Sequence, residues 1–369
     1  MQISRRKSLA LIGGGAIVAA AVPAGVFLST RTPTKALEPW SRAGGYEDAR
    51  MRALSYALLA PNPHNRQPWE AELLGRNQVA LYRDKTRDLP VTDPYGRQLT
   101  IGMGCFLELM DMAAAEERIG VTSQLFPTGE DGPVAICTFT PDAGRPDPLF
   151  KQTMLRRSHK EMFDARAVDA ETSAPLREHA ELFLKGEDRD ALRQIAHDAW
   201  MREATTPAAW KESVDLLRLG KAEINANPDG IDVGGPMLDT LVVLGLLNRE
   251  DALDIDNPNA RRPIEDTAKA ILSSPAMTLI RTPENTRFDQ IEAGRRWLRL
   301  NLAATGAGLA MRPVSQALQE YEEMKPLYEE IHQRFAMNDE TIQMLGLLGY
   351  GKRTQRTPRW PIESRMRNV

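Results

Sequence analysis

The sequence predicts an α+β fold built from two related halves. Helix-like and strand-like stretches occur without a regular β-α-β alternation, as in α+β proteins. No Gly-x-Gly-x-x-Gly follows a strand, so a Rossmann dinucleotide site has no support. Two helical segments read as copies: Gly104-Cys105-Phe106-Leu107-Glu108-Leu109-Met110-Asp111-Met112-Ala113-Ala114 and Gly294-Arg295-Arg296-Trp297-Leu298-Arg299-Leu300-Asn301-Leu302-Ala303-Ala304. Leu107, Met110 and Ala114 recur at helical spacing, as do Trp297, Leu300 and Ala304. Small residues at both ends allow close helix approach.

The chain has 369 residues. Ser4-Arg5-Arg6-Lys7-Ser8-Leu9 has the form of a twin-arginine signal and runs into an apolar, Gly/Ala-rich stretch, Leu9 to Leu28. That stretch is also long enough for an uncleaved anchor, since ~20 apolar residues span a bilayer. Val22-Pro23-Ala24 and Thr34-Lys35-Ala36 both offer small residues for cleavage, so residues 1–36 are set aside as signal and linker. The expected destination is the periplasm or cell envelope, by the twin-arginine export machinery, which carries chains already folded.

Without the three basic residues of the leader the chain carries 44 basic and 50 acidic side chains, net −6. That balance argues against nucleic acid. The five histidines lack ligand spacing and no metal site is expected. Cys105 and Cys137 sit in apolar runs, as free buried thiols or as one bridge.

The first half, 46–140, reads as helix 46–59, a turn, a strand-like run, strand 78–82, helix 98–119 and strand 134–139. Pro141 to Pro148 is the linker. The second half, 148–365, reads as helices 148–157, 173–185, 188–203 and 208–225, strand 277–281, and helices 288–308 and 320–336. A Pro/Gly/Asn-rich stretch, 226–262, interrupts it around an apolar helix, Met237 to Leu247.

Three segments carry the chemistry. Ala60-Pro61-Asn62-Pro63-His64-Asn65-Arg66-Gln67-Pro68-Trp69 cannot continue a helix and forms an ordered turn that presents amides. Arg156-Arg157-Ser158-His159-Lys160 gathers two guanidiniums, a hydroxyl and an ammonium, groups suited to a phosphate and an electron-rich ring. Arg356-Thr357-Pro358-Arg359-Trp360-Pro361 is a basic ending stiffened by proline. Each also has a plainer reading, as a Pro/Asn loop, a solvated helix end and a solvated tail.

The pattern Pro-x-x-x-Asn-x-Gln-Pro-Trp resembles the nitroreductase (flavin reductase) superfamily, where it lies against FMN. Arg-x-Ser-x-Lys at 156–160 and the Arg359-x-Pro361 ending resemble motifs of the same superfamily. The resemblance implies a nitroreductase-like α+β fold with FMN as cofactor. Pro61, Asn62, Asn65 and Gln67 would then line the flavin. Arg156 would bind its phosphate, with Arg157 and Ser158 at the phosphate or ribityl region and Lys160 at the pyrimidine edge. Arg359 would clamp the phosphate, with Arg356 as a second ligand. Ser315 and Gln316 occupy the places whose backbone faces flavin N5, although the family's usual Glu-Gly is absent; Ser315 also reads as a helix cap. The turn motif occurs only in the first half and the arginine motifs only in the second, so one chain carries one complete site. This resembles the single-chain, twin-repeat family called Acg and implies two pseudo-repeats imitating a nitroreductase dimer, and hence a monomer. The function implied is electron transfer through FMN to a small electron-poor acceptor. The alternative is FMN storage beneath a lid, for which 226–262 is the candidate.

Overall fold

The computed structural model describes residues 31–367. The arginine pair and apolar run of the leader lie outside the described residues. No described helix is long and apolar enough to cross a membrane.

The first half opens with α1 (Thr34–Arg42) and α2 (Ala49–Ala57). Asp48 caps α2, its carboxylate accepting from Arg50 N–H at 2.8 Å. There follow β1 (Trp69–Leu74), β2 (Gln78–Arg83), α3 (Arg97–Glu116), β3 (Gly120–Leu125) and β4 (Ala135–Thr140). The strands form an antiparallel sheet in the order β1-β2-β4-β3.

The second half repeats this plan. β5 (Glu181–Phe183) is followed by an insertion: α4 (Glu187–Thr205), α5 (Pro207–Asp215), β6 (Leu217–Leu219), α6 (Gly220–Ala226), β7 (Ile231–Val233), α7 (Pro236–Val243), α8 (Arg249–Leu253) and α9 (Pro258–Leu272). The plan resumes with β8 (Ala276–Thr282), α10 (Arg287–Gly306), β9 (Ala310–Pro313), α11 (Lys325–Phe335) and β10 (Thr341–Gly349). Its sheet runs β5-β8-β10-β9, again antiparallel. Matching β1 to β5, β2 to β8, α3 to α10, β3 to β9 and β4 to β10 reproduces order and direction throughout. The chain is therefore an α+β protein of two pseudo-repeats.

The two matched helices pack on each other, and the matched glycines make the crossing. A Cβ on Gly104 would lie 2.2 Å from the Ile291 carbonyl oxygen, and one on Gly294 would lie 2.0 Å from that of Ile101. Backbone meets backbone there, and the Cys105 thiol donates to the Gly294 carbonyl at 3.1 Å. Leu107, Met110, Trp297 and Leu300 bury in one core that spans both halves. Glu108, almost fully buried, accepts from Arg295 at 2.7 Å and Arg299 at 2.5 Å, so charge flanks the crossing. A second core lies under α4, where Leu192 and Ile195 meet Met277, Leu345 and Leu347. Cys105 and Cys137 are free and buried, and burial pushes both thiols up to about 12.

Several expected elements differ. The helix expected over 173–185 is a 3-10 turn, Ala174–Glu178, followed by β5, because Leu182 and Phe183 pair with β8. The helix expected over 208–225 breaks at Leu217–Leu219, which pairs in parallel with β7, and Gly220 turns the chain at φ +76°. The helix expected over 148–157 is a 3-10 segment, Pro148–Gln152. The helix expected from 320 begins as a 3-10 turn and becomes α11 at Lys325, with proline at its start. Three helices were not anticipated. α8 (Arg249–Leu253) follows Asn248, whose side chain caps it by accepting from Asp251 N–H. Asn257-Pro258 reads as a loop, yet Asn257 caps α9 and Pro258 takes its first position. α1 begins inside the stretch set aside as signal and linker. Ala36, one of the two candidate cleavage positions, is 1% exposed within it. Around the expected apolar helix 237–247, α7 leaves Met237 72% and Val243 76% exposed.

Candidate functional site

The three motif segments meet at the C-terminal end of α2. A helix ends with carbonyls that lack intrahelical partners and carry the negative end of its dipole. Here Leu58, the C-cap, and Leu59 and Ala60, just past the helix, supply carbonyls to two guanidiniums. Arg359 Nε donates to the Leu58 oxygen at 2.8 Å, and its Nη2 to those of Leu59 at 3.2 Å and Ala60 at 3.1 Å. Arg156 Nη2 donates to the Leu59 oxygen at 3.1 Å. Both arginines are buried, at 2% and 3% exposure.

No carboxylate among the described residues is bonded to either. Burial pushes Arg359 down to about 9, Arg156 adds repulsion, and Asp232 offsets part of it. Burial pushes Arg156 down to about 10. Arg157 is also brought to about 10, by burial first and then by repulsion from Arg356, Arg156 and Arg353. Asp232, on β7, is itself bonded to Lys160 Nζ at 2.6 Å. Two guanidinium nitrogens, Arg156 Nη1 and Arg157 Nε, are buried with no hydrogen-bond partner. An unsatisfied buried donor costs about 1–3 kcal/mol, more when charged. The chain has thus gathered arginines whose own contacts leave cationic donors unmet, which is the donor set an anion requires.

The amide-bearing turn packs against the same arginine cluster through Arg359. His64, Asn65 and Gln67 hold left-handed backbone at φ +46°, +52° and +50°, a strained state for residues other than glycine. Their network explains its persistence. Asn62 Oδ1 accepts from Gln67 N–H at 2.7 Å and closes the turn. Asn65 Oδ1 accepts from Arg359 Nη1 at 2.6 Å, while its Nδ2 donates to the Pro358 carbonyl at 3.1 Å. Gln67, fully buried, accepts from Trp360 N–H at 2.9 Å and donates to the Pro228 carbonyl at 2.7 Å. Pro61 is half-buried at the start of the turn. These amides grip the C-terminal segment and the start of 226–262.

Ser158 sits between β9 and the ending: it bridges to Met311, and its carbonyl accepts from Thr354 Oγ1 at 3.0 Å. Arg356 is half-buried beside Arg157. The structure thus brings together Asn65, Gln67, Arg156, Arg157, Arg356 and Arg359, with Lys160 tied in through Asp232. Ser315 and Gln316 stand apart. Ser315 Oγ bonds with the Leu345 backbone of β10, and no hydrogen bond among the described residues joins either to the arginines. Gln316 Oε1 is buried without a partner.

Three residues were missed. Trp40 lies under the arginines but falls within 37–45, between the signal and linker (1–36) and the first half (46–140), a span assigned to neither. Asp232 follows a Gly-rich turn and gave no sign of pairing. Arg312 is pushed down to about 10 by burial and donates to Thr267 Oγ1 at 3.2 Å; its place beside Ser315 was the available signal.

Among the described residues no group of His, Cys, Asp or Glu could hold a metal ion.

No family model matches the chain. By sequence it is similar to acg of Mycobacterium tuberculosis, named as a candidate NAD(P)H nitroreductase, in strains CDC 1551 / Oshkosh and ATCC 25618 / H37Rv. It is 34% identical to each over 84 residues, 23% of this chain and 25% of the relative. The chain spans about a quarter of the length of the curated relatives it matches. By structure it is similar to a nitroreductase with bound FMN from Bacteroides fragilis, at 9% identity and TM-score 0.33, over 57% of this chain and 91% of that one. It is also similar to the FMN-dependent nitroreductase NfnB of Mycobacterium smegmatis in complex with NADPH, at 17% identity and TM-score 0.37, over 58% and 94%. A further similarity is to a candidate nitroreductase from Anabaena variabilis, at 11% identity and TM-score 0.38, over 80% and 82%.

Proposed function

We propose that this chain is an FMN-binding oxidoreductase of the nitroreductase kind, with one flavin site built from both halves. The observation that carries the reading is the pair of buried, unpartnered guanidinium nitrogens, Arg156 Nη1 and Arg157 Nε, in a cluster without a bonded carboxylate. A phosphate monoester supplies the missing negative charge and acceptors. Each charge-assisted bond contributes about 1.5–3 kcal/mol when shielded.

In this reading Arg156, Arg157 and Arg356 hold the phosphate, and Ser158 lies at its edge. Arg359 orders the turn by fastening Asn65 to the end of α2. Lys160 presents its charge to the pyrimidine edge once Asp232 yields it. FMN bound there would supply the redox chemistry that amino acids lack, the transfer of electrons to a small electron-poor acceptor. The protein's part is to bind, orient and exclude water.

A second reading, FMN storage, draws on the stitching around the site. Gln67 to Pro228, Gly230 N–H to the Asn65 carbonyl at 3.2 Å, and Lys160 to Asp232 hold the start of 226–262 across the turn. That suits enclosure. We also infer export of the folded chain by the twin-arginine route and a monomeric state, because the second repeat stands in for a partner subunit.

Anaerobic mixing of the FMN-loaded protein with NAD(P)H tests both readings. Bleaching of the bound flavin, with reoxidation by a nitroaromatic acceptor, supports the reductase. Bound FMN that stays oxidised under NAD(P)H supports storage. A protein that does not bind FMN contradicts both.

A further inference from the structure

Trp40 projects from α1 into the arginine cluster. Its ring is 1% exposed. Three guanidinium carbons lie over it, those of Arg157 at 5.1 Å, Arg356 at 5.3 Å and Arg359 at 5.9 Å from a ring centroid. The indole is fixed from behind: Nε1 donates to the Thr357 carbonyl at 2.8 Å. α1 is fixed as well, since the Ala36 carbonyl accepts from Arg359 N–H at 2.9 Å and Ala36 N–H donates to Asn225 Oδ1 at 3.0 Å.

Burial first, and then repulsion from Arg356, Arg156 and the exposed Arg353, push the Arg157 guanidinium toward its neutral form. An aromatic face carries a negative quadrupole and attracts cations without using their N–H groups. A guanidinium engaged through its face keeps its in-plane donors free, and those donors bind phosphate oxygens.

We propose that Trp40 is a positioning residue for the anion site: its indole face holds Arg157 and Arg356 beside the Arg359 clamp while the site is empty, and leaves Arg157 Nε and the Arg356 guanidinium for an incoming phosphate. This rests on reading the cluster as an anion receptor, and it holds whichever phosphate monoester fills it. It also gives α1 a role in the folded protein, so processing after Ala36 would remove part of the helix that carries the site's platform.

The test compares the wild-type chain with Trp40→Phe and Trp40→Leu. Calorimetry with inorganic phosphate and with FMN gives affinities, and thermal melts report the fold. Trp40→Phe keeps an aromatic face and loses the Thr357 bond; phosphate affinity should stay within about threefold. Trp40→Leu loses the face and should bind phosphate and FMN roughly tenfold more weakly. Equal phosphate affinity of wild type and Trp40→Leu overturns the inference, and equal weakening of both variants assigns the effect to the Thr357 bond instead. A wild-type chain that binds phosphate but not FMN sinks the flavin reading alone; one that binds neither sinks both. If Trp40→Leu does not fold, 19F NMR of the wild type labelled with 5-fluorotryptophan decides. The resonance absent from Trp40→Phe should shift on adding phosphate, and a resonance that stays fixed through saturation overturns the proposal.

Discussion

Arg359 Nη1 donates to Asn65 Oδ1 across 2.6 Å, joining residues 294 apart in sequence. The same guanidinium reaches the carbonyls of Leu58, Leu59 and Ala60 and the Thr357 hydroxyl. It therefore ties the end of the chain to the turn and to the end of α2. Arg359→Ala should lower stability by roughly 3 kcal/mol or more, because several buried carbonyls and an amide lose a charged donor together. Denaturant melts measure this, and an unchanged midpoint would show the clamp is idle.

Arg156 behaves differently, since its guanidinium donates to the Leu59 carbonyl and leaves Nη1 unmet. Arg156→Met keeps much of the stem and removes the buried charge. The ligand-free protein should keep its melting temperature within a few degrees or gain. Phosphate affinity should fall roughly 10–150-fold, the equivalent of one charge-assisted contact. Calorimetry beside a thermal melt separates the two effects.

The helix crossing gives a packing prediction. Gly104→Ala would place its methyl carbon 2.2 Å from the Ile291 oxygen, so a backbone must move. A loss of about 3 kcal/mol is expected. Gly306→Ala, whose nearest neighbour is a Gln152 side-chain atom at 3.5 Å, should be neutral or slightly stabilising. Equal effects at both sites would contradict the close crossing.

Glu203 on α4 is 2% exposed, accepts from Gln319 Nε2 at 2.7 Å and has no cation among the described residues bonded to it. Burial raises it to about 7, from an ordinary value near 4.5. The folded state therefore holds a proton that the unfolded chain has released between those values. Stability should fall as pH rises from about 5 through 7, by roughly 3 kcal/mol at most. Glu203→Gln should flatten that slope and stabilise the protein at pH 8. A wild-type stability that rises over this window would refute the assignment.

The repeat was legible because helix period and glycine position are local signals: Gly104 and Gly294 mark the crossing itself. The ingredients of the site were legible for the same reason, since arginines, amides and prolines stand close together in three short segments. What those side chains do was not. Gln67 and Asn65 are spent on Pro228, Trp360 and Arg359, partners set by tertiary contacts far along the chain. Trp40 was lost because it stands within 37–45, between the signal and linker and the first half, in a span too short to show a pattern of its own. α9 was lost because Asn-Pro signals both a loop and a helix start, and only the following turn distinguishes them. In 173–185, pairing with β8 overrode a helical pattern.

The most direct measurement is the visible spectrum of the purified chain from 31 onward after incubation with FMN and removal of the excess. The account predicts a yellow protein with about one FMN per chain, and a largely colourless one when Arg156→Met is treated identically at micromolar concentration. A wild-type chain that emerges colourless, or one that keeps its flavin equally well without Arg156, would contradict the claim that these arginines form a flavin phosphate site.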